Sequence, residues 1–506
     1  MKKYKIIIIL FASIQLGACS LQEDPPYLAT SNIFENLENA RGALNGVYNG
    51  FAGWGYFGYS MHEITAGGSG LFTRRTWRKL NDPYNLTLYA LKPTANLKEL
   101  ENVWLQSYTI ITRANDIIAN VKPVDNPTTD NDKGMNDVLG QAYFARAYAY
   151  LNLVRFWGDI PLRTEQVNTD NIHLGKTPAK EVYVQIIEDA ELATRYTFPV
   201  EEQRTGYPAA EAAYMLLAKA YMTLATADPA VQSNSAAEYW QKAYDAAKQV
   251  YGKYSLIDYE SLWEDEAGDN SPENIFEIQS NATDGGGLVR LYNPRGSTVG
   301  NNTWGRLNVN AEVYDDHAAT YPGDPRISST YISLWNNVVK NITKKTYPEV
   351  ANRTNYNTAF PIAYKYWSKD PNLTLNTNNK NFIVYRYADL LLMLAEISNE
   401  LQNGEQLGYV AEVLSRVSLA PQAGYSGTQD DFREAIMKEY RYELLNEDED
   451  WFRERRRGFQ WFKEHVIDVH NANYVDGVDI LFSDIDESVM LLPFPASEIN
   501  TNEEID

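Results

Sequence analysis

Apolar residues recur at helical spacing along much of the chain. Between 97 and 121 the apolar stripe includes Val103, Ile111 and Ile117, and Pro123 follows it directly. An earlier helix is predicted over 31–50, with Ser31 as its N-cap. The same spacing predicts further helices at 140–157, 179–196, 208–226, 237–251, 386–400, 405–417 and 430–445.

Two long segments, 51–95 and 252–380, lack this helical period and are rich in Gly, Asn, Pro and aromatic residues. Only two short β runs, at 274–279 and 361–367, are predicted within them. Long loops in compact domains usually carry function, and their aromatic content argues against disorder. The pattern therefore predicts a mainly α fold in which helices alternate with long, loop-rich segments.

Small and aromatic residues share the packed faces of these helices, as Tyr214, Leu217 and Tyr221 illustrate. Small residues let helices approach closely while aromatic rings fill the neighbouring gaps, which is typical of tetratricopeptide-type hairpins. No strict repeat is visible, so we expect degenerate repeats. We predict one domain over 31–506, with its helical scaffold at about 97–251 and 386–446 and its loop-rich segments at about 51–95 and 252–380.

The start of the chain is typical of a secretory signal. Lysines precede an apolar run over 6–18, which is shorter than the roughly 20 residues of a membrane-spanning helix. The sequence Leu16-Gly17-Ala18-Cys19 resembles the signal of bacterial lipoproteins, which implies cleavage after residue 18 and lipidation of Cys19. An ordinary secretory signal containing a cysteine is the alternative. Residues 19–30 include two prolines and predict an extended tether.

Composition narrows the possible partners. The formal net charge of −22 disfavours nucleic acid, and a single cysteine excludes a disulfide within the chain. The 36 tyrosines and 11 tryptophans suit helix packing and sugar-like ligands equally, because each ring combines an apolar face with a polar group.

Motifs for catalysis are absent from the sequence. The five histidines show no His-Glu-x-x-His spacing, and neither a Gly-x-Ser-x-Gly elbow nor a phosphate-binding Gly-rich loop occurs. We therefore predict that the protein is not an enzyme and uses no metal or cofactor. The charge run over 447–457 is interpreted as a solvated helix end with surface ion pairs, rather than as a metal site.

Four collinear motifs carry a family resemblance, at 141–162, 385–396, 438–445 and 492–500. They begin with Gln141-Ala142-Tyr143-Phe144-Ala145-Arg146 and end with Leu492-Pro493-Phe494-Pro495. The chain resembles the SusD/RagB family of nutrient-binding lipoproteins. The resemblance implies a mainly α, SusD-like fold whose helical hairpins scaffold an irregular, loop-rich ligand face at about 51–95 and 252–380. It also implies a surface lipoprotein of the Bacteroidetes outer membrane that passes oligosaccharides to a SusC-type TonB-dependent transporter. A peptide- or protein-binding lipoprotein, or a transporter lid with little glycan affinity, is the alternative.

The ligand site is not transferred by these motifs, so it must be sought among the loops. Sugars present C–H faces to aromatic rings and hydroxyls to amide and guanidinium groups. Two loop stretches combine such residues: Trp54, Tyr56, Trp77, Arg78 and Asn81 in the first, and Tyr292, Asn301, Asn302, Trp304 and Arg306 in the second. Any single ring could instead cap the helical core.

A basic cluster over 74–79 lies beside Trp77 in this acidic chain. Its arginines could select an anionic glycan, because guanidinium groups pair with carboxylate or sulfate, or they could bind acidic residues of the protein itself.

Overall fold

The computed structural model describes residues 34–74, 86–281, 287–374 and 379–505. Within these ranges the chain is mainly α-helical. Its α-helices are α1 (Leu37–Ala52), α2 (Ser60–Gly67), α3 (Leu86–Tyr89), α4 (Lys98–Asn120), α5 (Asp130–Trp157), α6 (Ala179–Tyr196), α7 (Ala210–Thr226), α8 (Ala236–Lys248), α9 (Leu288–Tyr292), α10 (Ala311–Thr320), α11 (Arg326–Thr330), α12 (Tyr387–Leu401), α13 (Gln406–Ser415), α14 (Gln429–Leu444), α15 (Asp450–Arg455), α16 (Phe459–Phe462), α17 (Asp468–Ala472) and α18 (Ala496–Thr501).

The long helices pack on one another in chain order. α4 packs on α5, α5 on α6, α6 on α7 and α7 on α8. α8 then contacts α12, which also packs on α13 and α14, while α1 lies against α4 and α5. These helices form the scaffold, and all of the strongly periodic segments of the sequence belong to it.

α5 is buried along most of its length and begins earlier than its apolar stripe suggests. Thr129 caps it by accepting a hydrogen bond from the backbone nitrogen of Asp132 at 3.1 Å. Its first turns are polar, so periodicity alone predicts a start at 140. Further along, Arg146 donates from Nε and Nη2 to both carboxylate oxygens of Asp189 on α6, each at 2.7 Å. This buried bidentate pair fixes α5 against α6.

Short strands connect the loop segments. They are β1 (Phe72–Thr73), β2 (Asn274–Ile278), β3 (Asn308–Val309), β4 (Tyr331–Ile332), β5 (Leu334–Asn337), β6 (Ile342–Lys345), β7 (Ile362–Ala363) and β8 (Phe382–Arg386). The strand order of the four-stranded sheet is β1-β3-β7-β4, and β2 pairs with β8 and β5 with β6, all antiparallel. Since β1 and β3 pair, the two loop segments predicted from the sequence lie side by side.

Buried apolar side chains of the helices and strands form one large cluster, with a small second cluster of Trp335, Ile362 and Trp367. Within the described residues, five helices inside the predicted loop segments, α2, α3, α9, α10 and α11, were missed by the sequence pattern. All eight residues of α2 are buried although four of them are polar, so its sequence shows no apolar stripe.

The interpretation of the 447–457 charge run as a solvated helix end is wrong. Glu447, Asp450 and Glu454 are buried. Asp450 pairs with Arg453 of the run itself, whereas the cations at Glu447 and Glu454 come from outside the run. Arg386 Nε lies 2.7 Å from Glu447, and Arg441 Nε lies 2.6 Å from Glu454. Complementary charges that are far apart in the sequence made burial of this run possible.

Candidate functional site

The turn after α1 presents Trp54 to solvent. Gly53 caps the helix by donating its backbone N–H to the Asn49 carbonyl, and Trp54 remains 41% exposed. Tyr56, two residues later, points into the core. A Cβ at Gly58 would lie 2.8 Å from the backbone of Gly53, so the tightness of this turn requires glycine.

Trp304 and Arg306 are positioned by backbone hydrogen bonds to α9. The backbone N–H of Trp304 donates to the Arg290 carbonyl at 2.7 Å, and that of Arg306 donates to the Leu291 carbonyl at 2.9 Å. Gly305 between them has a φ of +57°, and a Cβ there would lie 2.6 Å from a neighbouring Cα. Glycine at this position therefore allows the chain to run closely past the end of α9.

The two loop segments meet at these rings. Gly287 donates its backbone N–H to the Gly58 carbonyl at 2.7 Å. The rings of Trp54 and Trp304 meet edge to face, with centroids 5.9 Å apart and planes at 89°. Tyr59 stacks on Trp54 at 4.5 Å and contacts Trp304 at 5.7 Å. We refer to Trp54, Tyr59 and Trp304 as the aromatic cluster.

Two guanidinium groups border the aromatic cluster. The central carbon of the Arg306 guanidinium lies 3.9 Å from the ring centroid of Trp304, and that of Arg290 lies 5.1 Å from it. Both distances suit cation–π attraction. Arg306 Nη1 also donates to the hydroxyl of Tyr59 at 2.5 Å and lies 3.7 Å from a carboxylate oxygen of Glu63.

The hydroxyl of Tyr59 links this surface to buried carboxylates. It donates to Glu99 Oε1 at 3.2 Å. Burial raises the pKa of Tyr59, and the nearby charges of Glu63 and Glu99 raise that pKa further. The hydroxyl therefore stays protonated at physiological pH and holds the Arg306 guanidinium beside Trp304.

This arrangement suits binding rather than bond-breaking chemistry. Indole faces accept the C–H groups of a sugar ring, and guanidinium N–H groups donate to its hydroxyls. Within the four described ranges, no group of three or more His, Cys, Asp or Glu side chains is placed to hold a metal ion.

The structure brings together three of the ten ligand-binding residues predicted from the sequence: Trp54, Trp304 and Arg306. Tyr56 and Tyr292 were predicted to face ligand, but both are fully buried. The Tyr56 hydroxyl accepts from Asn152 Nδ2 at 2.8 Å, and the Tyr292 hydroxyl donates to a side-chain oxygen in the core. These two rings pack in the core because their hydroxyls find partners there.

The remaining predicted residues divide into two groups. Asn302 is exposed and Asn301 half-buried, in the loop that leads to Trp304. Trp77, Arg78, Asn81 and Cys19 lie outside the described residues, as does most of the basic cluster over 74–79. Arg74, the one described member of that cluster, is buried.

Family models match two long parts of the chain. One, described as "Starch-binding associating with outer membrane", matches residues 74–222, and the other, described as "SusD family", matches residues 272–506. The chain belongs to the SusD/RagB family. SusD-like proteins are binding proteins and not enzymes.

Relatives and solved structures agree with this membership. SusD-like protein P2 of Formosa agariphila is 26% identical over 494 residues, which cover 89% of this chain and 90% of that protein. The fold is similar to that of a laminarin-binding SusD-like protein, with 20% identity, a TM-score of 0.71 and coverage of 93% and 98%. A structure with xylogluco-oligosaccharide has 18% identity, a TM-score of 0.71 and coverage of 91% and 97%.

Two residues of this candidate site, Tyr59 and Arg290, were missed by the sequence analysis. Tyr59 belongs to the same aromatic stretch as Trp54, whereas Arg290 lies two residues before the second stretch, which begins at Tyr292. Only the pairing of the two segments reveals their roles. Across the described part of the chain, none of the helices has the length and apolar character needed to span a bilayer.

Proposed function

We propose that this protein captures oligosaccharides at the cell surface through its aromatic cluster. The proposal rests on one observation above all. Two indole rings from separate loop segments meet at 5.9 Å beside two arginines, and Trp54 remains 41% exposed. A protein core would normally bury so large a ring, whereas a sugar-binding surface needs it open. The names of two structural neighbours, which refer to laminarin and to xylogluco-oligosaccharide, favour glycan as the ligand class.

We further propose that the protein works from a lipid anchor at Cys19 in the outer membrane. The family description associates such proteins with that membrane. Three acyl chains would hold the protein firmly, since each buried CH₂ contributes about 0.8 kcal/mol. The tether over 19–30 would confine the domain near a SusC-type TonB-dependent transporter. Such confinement raises the effective concentration, so modest affinity for both glycan and transporter suffices for delivery.

The test is a binding screen of the chain from Ser20 onward against a panel of glycans that includes laminarin and xyloglucan oligosaccharides. We expect at least one glycan to bind. Replacing Trp54 and Trp304 together by alanine should then weaken binding about 100-fold or more, roughly 3 kcal/mol, because both stacking surfaces are lost. Isothermal titration calorimetry measures the change.

Tyr251→Ala is the matched control, because Tyr251 is an aromatic residue with 37% exposure outside the aromatic cluster. Its removal should leave glycan affinity within about twofold. Unchanged affinity in the double tryptophan variant would contradict a role for the aromatic cluster. Binding of peptides, with no glycan bound, would contradict glycan capture itself.

A further inference from the structure

A second concave region lies in the helical scaffold. It is a cavity of about 680 Å³ between α5, α6, α7, α12 and α15, bordered by residues 490–494. None of the aromatic-cluster residues lines it. Its volume falls within the range of small-molecule sites in proteins. Its rim is open to solvent, since Asp228 and Leu491 are exposed.

The walls of this cavity are largely apolar. They include the side chains of Trp157, Met222, Met393, Phe452, Leu491 and Phe494. Methionine side chains adapt to ligands of different shape, and aromatic rings supply large apolar surfaces. These walls suit the apolar body of a small organic molecule better than a fully hydroxylated sugar.

Charged groups form the floor. Lys219 Nζ lies 2.8 Å from Asp389 Oδ2, and Arg155 Nη1 lies 3.1 Å from Glu449 Oε2. The two members of each pair use most of their hydrogen-bonding capacity on each other. Asp389 is only 5% exposed, yet its Oδ1 has no hydrogen-bond partner within the described ranges. A carboxylate ligand has no proton to donate to this oxygen, so water must satisfy it.

Arg453 has a guanidinium that is only partly paired. It is 6% exposed, and its one ion pair with a described residue is a 3.5 Å contact between Nη1 and Asp450 Oδ1. Arg456 also lines the cavity, but its Nη2 lies 2.8 Å from Glu396 and its Nη1 is enclosed by protein. Arg453 is therefore the cation with donors available to a ligand at this cavity.

The charge balance of the lining is also unusual for this chain. Cationic residues are Arg155, Lys176, Lys219, Arg453, Arg455 and Arg456, whereas acidic residues are Asp159, Asp228, Asp389 and Glu449. Glu396 and Asp450, which pair with Arg456 and Arg453 but do not line the cavity, offset this excess of cations, so the site is close to neutral in a protein whose formal charge is −22. Such a site repels anions less than the rest of the acidic surface does.

We propose that this cavity binds a small organic carboxylate. The carboxylate accepts hydrogen bonds from Arg453, and the apolar body lies against Met222, Met393 and the aromatic walls. A planar guanidinium matches a carboxylate in geometry as well as in charge. This site is independent of the glycan-capture proposal, because it uses other residues on another part of the fold.

The probe is hexanoate, which combines a carboxylate with a short apolar chain, and hexanamide is its uncharged match. Isothermal titration calorimetry of the chain from Ser20 onward should give a Kd for hexanoate below about 10 mM. The Kd for hexanamide should be at least tenfold higher. Equal affinity for the two would overturn the proposal, as would no hexanoate binding. Sulfate binding as tightly as hexanoate would also overturn it, because the apolar walls would then contribute nothing.

Variants localise the binding. Arg453→Met keeps the side-chain volume but removes the charge, and should weaken hexanoate binding at least tenfold. Arg113→Met, a change at an exposed arginine outside the cavity, should leave it unchanged. Leu491→Trp at the exposed rim should also weaken hexanoate binding, because the larger side chain narrows the entrance of the cavity. This variant replaces Arg453→Met as the test if Arg453→Met does not fold. Wild-type affinity in a folded Arg453→Met or Leu491→Trp variant would overturn the proposal.

Discussion

Replacing Arg386 by methionine is expected to lower the free energy of unfolding by about 3–5 kcal/mol. Arg386 is 1% exposed, at the junction of β8 and α12. Its Nη1 lies 2.8 Å from Glu273 and 2.7 Å from Glu443, and its Nε lies 2.7 Å from Glu447. Methionine fills similar space but leaves these buried carboxylates with too few cations around them.

The loss is large because the carboxylates cannot easily regain water. Glu443 also contacts Arg326 and Arg416, and Lys365 Nζ lies 2.6 Å from Glu447. These cations remain after the substitution, but they cannot replace the positive charge that each carboxylate loses. Removing one partner from a buried ionic network lowers the free energy of unfolding strongly, because it leaves an uncompensated charge in the interior. The intact network, by contrast, adds little stability compared with an apolar core of similar volume.

Urea unfolding followed by tryptophan fluorescence measures this effect. Lys98→Met is the matched control, since Lys98 forms an exposed ion pair with Glu101 at 2.5 Å. An exposed pair of this kind contributes at most about 1 kcal/mol. If both variants lose the same small amount of stability, the buried network does not have the structural role assigned to it here.

This network also marks the limit of sequence-based prediction for the charge run over 447–457. A run of mixed charge is typical of a solvated surface, and nothing local distinguishes a buried one. The partners that neutralise it, such as Arg155, Lys365 and Arg386, come from elements far apart in the chain. Burial of these charges is a consequence of tertiary structure that periodicity and composition do not contain.

Long helices with regularly spaced apolar residues were predicted closely, because the spacing itself indicates a helix. The helix over Ala179–Tyr196 has the predicted bounds, and α7 and α12, which are buried along nearly their whole length, start and end within two residues of theirs. Prediction failed for α2, which is short and has polar residues at four of its eight buried positions, and for the polar first turns of α5. The mainly α fold class could therefore be predicted, although the extent of several elements could not.

The candidate site was predictable only in part. The sequence indicated that aromatic residues in the two loop segments would include a ligand-facing ring, and Trp54 and Trp304 do meet at the surface. It could not separate Trp54 from Tyr56, which point in opposite directions from one tight turn. That choice depends on how the turn packs against the neighbouring α9 segment, where Gly287 bonds to Gly58.

Acidification should remove much of the stability conferred by buried ion pairs. Burial by itself would raise the pKa values of Glu396 and Glu449, but neighbouring cations lower both to about 2. The cations are Arg456 and Arg457 at Glu396, and Arg155 and Lys219 at Glu449. The unfolded chain takes up protons near pH 4.5, whereas these folded groups take them up only near pH 2. Stability is therefore fully present above about pH 4.5 and is lost as the pH falls toward 2.

Glu396→Gln isolates one of these contributions. Each unit of pKa shift corresponds to about 1.4 kcal/mol, so the variant should be about 3 kcal/mol less stable than the wild type at pH 7. The difference should shrink as the pH falls from 4.5 toward 2, because wild-type Glu396 then becomes neutral as well. Urea unfolding across this range measures the difference, and Glu503→Gln at an exposed position should stay within about 0.5 kcal/mol throughout. A stability difference that is independent of pH would mean that the charge of Glu396 is not what stabilises the contact between α12 and the arginines beyond α15.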